Sequence, residues 1–523
     1  MKAVPLELPL LGLNTINPFL MEQNGFAREL TNYAIQEGRI SMRPAVRYSV
    51  GNMTLSHFGW FDYSTGTPYG IERSTGNIRN ISTAAGATNI GGAMHANATR
   101  VKHLSLDFVI GARQPRDAIY PFAAWTFTTI GITATAITSA CSYKGRLYVA
   151  SGTTVEYSAV AAVTGAMAGS IDFAEFLDGQ TISRIFSVTV QPGNDTQNVF
   201  VIFGTGGKVL VYQGDYPASS TWDLMGSYNM EAPVSNDAIV EIDGDLFVST
   251  SRYAYWFKDL FQNGAQVAYE NSPTRPIENL WQQCSWSGTF TLADHAHAFY
   301  YKPLDAIIVQ CSAANLDVIA NYGTDVCYFV YFRKYKAWAL WLMAQFFAPV
   351  LEFNNNYFAT SSKGTLQAIT PSIDYVVDTY SVTTVGDTSL KIFTSWKTPY
   401  LEAFSGRVQK LNNVRVFYMN DVSSYFDWLW GIFDFSDYNQ EPWGFYTQPT
   451  ATSFIEPGNY ANTWSESDHP NTWSQYNTMF GVPGAGGSFS IMFSQAREEG
   501  SNDQQKHQIY GAIAYVEDGG AFS

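Results

Sequence analysis

The chain has 523 residues, enough for one to three domains with cores of their own. Aromatic residues make up 15% of it and Asp, Glu, Lys and Arg together only 14%, a balance that suits pleated, half-buried strands and subunit interfaces. The formal net charge of −15 excludes tight binding to a nucleic-acid backbone, which needs clustered Lys and Arg, while leaving open loose passage of DNA along an acidic wall that repels it.

The chain opens on "MKAVPLELPLLGLN", which is apolar but short and carries Glu7, Pro5 and Pro9, so it makes a poor signal peptide. No apolar run approaches the roughly 18 residues of a membrane span. The expectation is a soluble chain made in a cytoplasm. Residues 1–50 read as an N-terminal arm. Within it "ARELTNYAIQEG" is expected to form a short helix ending at Gly38, because Gly accepts the left-handed conformation that closes helices. "EGRISMRPAVRY" then turns extended, since Pro44 pushes the residues before it out of helical geometry.

Residues 51–395 repeat one phrase in different words: an apolar run, a turn of small residues, a second run rich in Val, Tyr and Phe. It recurs near Gly70, Gly111, Ser151, Gly204, Ser249, Cys311 and Thr360, at intervals of 40 to 62 residues. Short strands at that spacing point to an all-β repeat, and about 40–50 residues is what a four-stranded propeller blade needs. A single blade cannot bury both faces, so neighbours must stack around an axis. The reading is an irregular β-propeller of six or seven blades, with a multi-layer β-sandwich as the alternative. The longest interval contains "PIENLWQQ", where Pro276 suits the first position of a short helix on an inter-blade connection.

Residues 396–523 differ. Trp428, Trp430, Trp443, Trp464 and Trp473 crowd together, and "NTWS" occurs at 462–465 and 471–474. The closing "GGSFSIMFSQAREEG…HQIYGAIAYVEDGGAFS" alternates like two antiparallel strands. This part reads as a C-terminal β-sandwich-like platform domain, hinged near 394–407.

Chemistry-bearing patterns are sparse. Asp294, His295 and His297 in "DHAH" are the best metal candidate, but a site needs a further ligand from elsewhere, and two histidines on a strand face are the plainer reading. "FGTGGKVLV" at 203–211 lacks the GK[ST] of a phosphate loop and reads as a tight hairpin. No G-x-S-x-G supports a hydrolase triad. Cys141, Cys284, Cys311 and Cys327 contain no C-x-x-C and read as buried free thiols. "SSTWDLMG" at 219–226 is the nearest approach to a sialidase turn motif and occurs once. The Trp cluster reads as core or subunit interface, with sugar stacking as the lesser alternative. No catalytic, cofactor-binding or metal residue is assigned, and no cofactor is expected.

The order of the phrases resembles the tail nozzle proteins of short-tailed bacteriophages, also called tail tubular protein B, and the related packaged-DNA stabilisation proteins. The resemblance runs through "NTINPFLMEQNGFAREL", "EGRISMRPAVRY", "DAIYPFAAWTF", "NSPTRPIENLWQQ" and the terminal "YVEDGGAFS". Its closest stretch is "VFVIFGTGGKVLVYQGDYPASSTWDLMGSYNM" followed by "NDAIVEIDGDLFVSTSRYAYW". In "CYFVYFRKYKAWALW" the family's Asn before the Ala-Trp turn is replaced, leaving "RKYKAW". The resemblance implies a structural virion protein rather than an enzyme. It implies a homohexameric ring at the distal end of the phage tail, docked on a head-tail adaptor ring and contacting tail fibre or spike proteins. Double-stranded DNA would pass through it transiently and without sequence preference. The family's channel gates are variable loops, so no gate residue is assigned. The competing functional readings are a propeller-type glycoside hydrolase and a glycan-binding receptor protein.

Overall fold

The computed structural model describes residues 1–15, 24–44, the strands of 46–131, then 137–162, 165–190, 197–284, 286, 296–312 and 326–343, the strands and connections between 346 and 420, and the strands at 428–436, 451–453, 474–486, 488–496 and 507–521. It is an all-β, propeller-like architecture.

Among the described residues, seven antiparallel meanders follow one another along the chain. Blade 1 starts at Ser56–Asp62, blade 2 at Thr99–His103, blade 3 at Ser139–Tyr143 and blade 4 at Ile182–Val190. Blade 5 starts at Ile239–Ile242, blade 6 at Ala298–Tyr301 and blade 7 at Phe346–Phe353. Each of the seven repeated phrases falls on the second strand of its blade: Gly70 in Thr67–Glu72, Gly111 in Leu106–Gly111, Ser151 in Arg146–Ser151, Gly204 in Gln197–Gly204, Ser249 in Asp245–Ser249, Cys311 in Ala306–Ser312 and Thr360 in Asn356–Ser361. The reason is local. In blades 3 and 5 the first two strands are joined by two-residue turns, Lys144-Gly145 and Asp243-Gly244, in which both residues have positive φ. That is the hairpin geometry whose twist matches the strands, and "KG" and "DG" are written for it.

First strands of neighbouring blades lie side by side around the axis. Thr99–His103 is next to Ser139–Tyr143, Ser139–Tyr143 next to Ile182–Val190, and Ile239–Ile242 next to Ala298–Tyr301. Phe346–Phe353 lies against Ser56–Asp62, which brings blade 7 back to blade 1. The fourth strand of blade 7 comes from the other end of the chain: Val46–Val50 pairs antiparallel with Leu366–Ile369. Closing the ring with a strand distant in sequence removes an exposed sheet edge.

Blade 5 has three strands among the described residues. Two helices, Phe257–Asn263 and Ala265–Glu270, and the turn-plus-helix Arg275–Ile277 and Glu278–Gln283 occupy the connection after Ala254–Trp256. Pro276 sits in the opening turn, as the sequence indicates. Side chains from this connection serve the outer strand: the Ala254 amide donates to Thr274 Oγ1 at 3.0 Å, and Ser272 Oγ donates to the Ala254 carbonyl at 2.7 Å. They satisfy backbone groups that a fourth strand would otherwise pair.

The N-terminal segment departs from the sequence expectation. Residues 27–38 form strands Glu29–Thr31 and Tyr33–Gln36 instead of a helix, and Gly38, at φ +69°, closes a hairpin to Arg39–Met42. Leu30, Thr31, Tyr33, Ala34 and Ile35 are all buried, so both faces of the segment are covered, which a single helical stripe would not require. Glu29–Thr31 lies between blade 6 and Thr394–Lys397, and the result is one nine-stranded sheet that continues from blade 6 through Ser488–Ala496 to Trp428–Ser436 and Ala451–Ser453. A second sheet joins Ser474–Gly486, Arg407–Asn420, His507–Ala521, Arg39–Met42 and Tyr33–Gln36, with Lys2–Leu6 also on His507–Ala521. The two C-terminal strands therefore belong to different sheets rather than to each other. The stretch read as a hinge contains a central strand, and Leu401 bridges to Phe489 beyond it.

Candidate functional site

The innermost strands position the groups most open to a functional role. Along Ile239–Ile242 the side chains alternate, and Glu241 emerges exposed between buried Val240 and Ile242. Surrounding protein nevertheless raises its carboxyl pKa through loss of solvation. Cys141 stands on the first strand of blade 3, two blades away, and its thiol is pushed far up, first by burial and then by the charge of Glu241. Glu241 is thus an exposed acid on a first strand, with its ionised form disfavoured by the protein around it.

Neighbouring blades are tied to one another by polar bonds. Arg184 in blade 4 donates to the Asn236 carbonyl at 2.6 Å and pairs with Asp237 at 3.1 Å. Ser183 Oγ donates to Asn236 Oδ1 at 2.7 Å, and the Ile185 amide donates to Ser139 Oγ at 3.2 Å. Between blades 5 and 6, Arg333 bridges Asp243 at 2.7 Å and Asp305 at 3.0 Å and lies over the Tyr300 ring. Arg333 belongs to "RKYKAW", which forms the turn from Val326–Phe332 to Ala337–Leu342, and Lys334 of the same turn pairs with Glu37 at 3.1 Å. These groups are consumed in holding blades together.

The phrase "VYQGDYPASSTW" also has a structural role. Gly214 has φ +108°, and a Cβ there would strike the Thr221 carbonyl. The tight loop brings Trp222 back over Tyr212, stacked at 5.2 Å and 12°. Tyr143 of blade 3 reaches under it and donates to the Gly214 carbonyl at 2.7 Å. An aromatic seam between blades 3 and 4 results.

The sequence candidates for chemistry separate. Asp294 and His295 lie outside the described residues. His297 is buried and stacks on Phe299 with centroids 6.1 Å apart. Among the described residues, no group of three or more His, Cys, Asp or Glu is arranged to hold a metal ion. "FGTGGKVLV" is the hairpin between Gln197–Gly204 and Lys208–Gln213. All four cysteines are buried and free. Trp443, Trp464 and Trp473 lie outside the described residues, and Trp428 and Trp430 are placed as backbone in Trp428–Ser436. The aromatic concentration that the structure does describe lies elsewhere: Trp281, Trp286, Phe329 and Trp338 pack together where the helical connection meets blade 6. Glu241 was missed by sequence reading. The only signal for it was a single acid within the apolar run "AIVEI".

No protein-family model matches the chain, and no curated protein does. Distant likenesses are found among solved structures. KlHsv2 with loop 6CD replaced by a Gly-Ser linker is 9% identical at a TM-score of 0.30, covering 60% of this chain and 97% of that one. BBS1N, crystallised in complex with ARL6DN and soaked with lead, is 11% identical at a TM-score of 0.38, covering 64% and 99%. The computationally designed Ika8 protein is 11% identical at a TM-score of 0.35, covering 65% and 96%. These likenesses are too distant to bear on function. No helix among the described residues is long and apolar enough to cross a membrane.

Proposed function

We propose that this chain is a structural virion protein that forms the hexameric distal tail nozzle of a short-tailed phage. In this reading the ring retains packaged DNA and later conducts it outward. The observation that carries the reading is the nine-stranded sheet, in which N-terminal, blade 6 and C-terminal strands share one hydrogen-bonded ladder. Such a ladder has little compliance and couples the propeller to the adjoining sheets as one wall segment. Six segments related by a closed rotation need one heterologous interface. Each brings a net charge of −15, and a share of that acid lining the bore would keep DNA mobile. The partners are an adaptor ring on one side and fibre or spike proteins around it.

The test is immunogold microscopy of the virion that carries this chain, together with the mass of the assembled particle. Label at the far end of a short tail and a six-copy ring with a continuous bore support the reading. Label on the capsid, an assembly without a bore, or turnover on a panel of glycans would overturn it. Glycan binding without turnover would favour a receptor-binding role instead.

A further inference from the structure

We propose that Cys284 and Cys311 are a thiol pair built to close into a disulfide when the folded chain meets an external low-molecular-weight disulfide. Their sulfurs are 3.2 Å apart, closer than ordinary contact between unbonded thiols. The pair stands where it would join two separate elements. Cys284 ends the helix Glu278–Gln283 of the connection that flanks blade 5, and Cys311 lies in the second strand of blade 6. The inference rests on this geometry and on no reading of the chain's function.

A third thiol decides the specificity of the idea. Cys327 is the direct cross-strand partner of Cys311. Accessibility separates the three: Cys284 is 7% exposed, Cys311 1% and Cys327 0%. Of these three, an external disulfide therefore reaches Cys284 first; Cys141, 8% exposed, is as open to the reagent but stands apart on blade 3. The Cys284 thiolate attacks one sulfur of the reagent, the reagent's S–S bond breaks, and one small thiolate leaves and takes up a proton. Cys311, deprotonated in turn, attacks the Cys284 sulfur of the mixed disulfide, and the second small thiolate leaves. Two protein thiols are oxidised and one small disulfide is reduced to two thiols, so atoms and electrons balance. Burial raises the Cys311 thiol pKa well above its ordinary value, which makes the second step the slow one.

The experiment is incubation of the full folded chain with oxidised glutathione, followed by alkylation, intact mass and non-reducing peptide mapping. The expected product has lost two hydrogen atoms through a link between the Cys284 and Cys311 peptides, and leaves Cys327 free for alkylation on unfolding. Its Tm should rise by about 2–4 °C, because the bridge closes a loop in the unfolded chain. C327S should retain the link and C284S should lose it. A stable glutathione adduct on Cys284 without closure, a Cys311–Cys327 link, or no reaction of the folded wild-type chain would each overturn the proposal. The mapping on wild-type protein decides the matter even where a variant fails to fold.

Discussion

Arg43 and Asn32 are locked together inside the molecule: the Arg43 Nε donates to Asn32 Oδ1 at 2.9 Å, and Arg43 is 2% exposed. The same guanidinium donates to the Leu342 carbonyl at 2.7 Å and the Pro44 carbonyl at 2.9 Å. Asn32 Oδ1 also accepts the Leu342 amide at 2.8 Å. Arg43 thus fastens the N-terminal hairpin to the end of the last strand of blade 6. Replacing it by Ala leaves several buried acceptors without their donor. The expected loss is about 3 kcal/mol of stability, read as a lower urea midpoint. Arg43→Lys should recover only part of this, because an ammonium cannot reproduce the planar fork.

Trp281 fills the junction between the helical connection and blade 6. It is fully buried against Trp286 and Phe329, and its Nε1 donates to the Thr250 carbonyl at 2.9 Å. Trp281→Ala should cost about 3–5 kcal/mol through the cavity it leaves. Trp281→Phe keeps most of the apolar contact and loses the hydrogen bond, so its cost should be nearer 1–3 kcal/mol. Equal losses in the two variants would show that the hydrogen bond, and not the packing, dominates here.

Gly207 turns the hairpin at φ +94°, and a Cβ on it would run into the Met230 carbonyl oxygen. Gly207→Ala should destabilise blade 4 by at least about 1–3 kcal/mol. Gly152, also at positive φ but with nothing within 4 Å of an added Cβ, provides the control. Its Ala variant should lose less, and hydrogen exchange in Lys208–Gln213 should quicken in the first variant and not in the second.

Glu29 supplies a pH test. It lies opposite Lys397 in the ladder, yet burial raises its carboxyl pKa above the ordinary 4.5, opposed by the neighbouring Ser395 hydroxyl and the charge of Lys397. The folded state therefore holds this proton more tightly than the unfolded chain. The destabilising contribution is absent below the ordinary glutamate pKa, grows as pH rises through the window up to the raised value, and is complete above it. Glu29→Gln removes that slope. The wild type should lose stability relative to the variant as pH climbs from 4.5. A constant difference across the range would sink the assignment.

The repeat was legible because a blade is mostly local. "YKGRLYV" and "IDGDLFV" contain both strands and the turn that joins them, so chain order alone locates the second strand of every blade. Pro276 announced its helix for the same reason. What the sequence could not decide were pairings between residues hundreds of positions apart. "ELTNYAIQ" is acceptable as helix in isolation. It becomes strand because Leu340 and Ser395 flank Thr31 on either side and offer it a ladder, and tertiary hydrogen bonding outweighs weak local propensity. The closure of blade 7 by Val46–Val50 and the nine-stranded sheet have the same origin. Local composition fixed where the blade strands extend and turn; only the closed, packed chain decided which edges meet and that residues 29–36 extend, because an unpaired strand edge takes its partner from whatever the whole fold brings beside it.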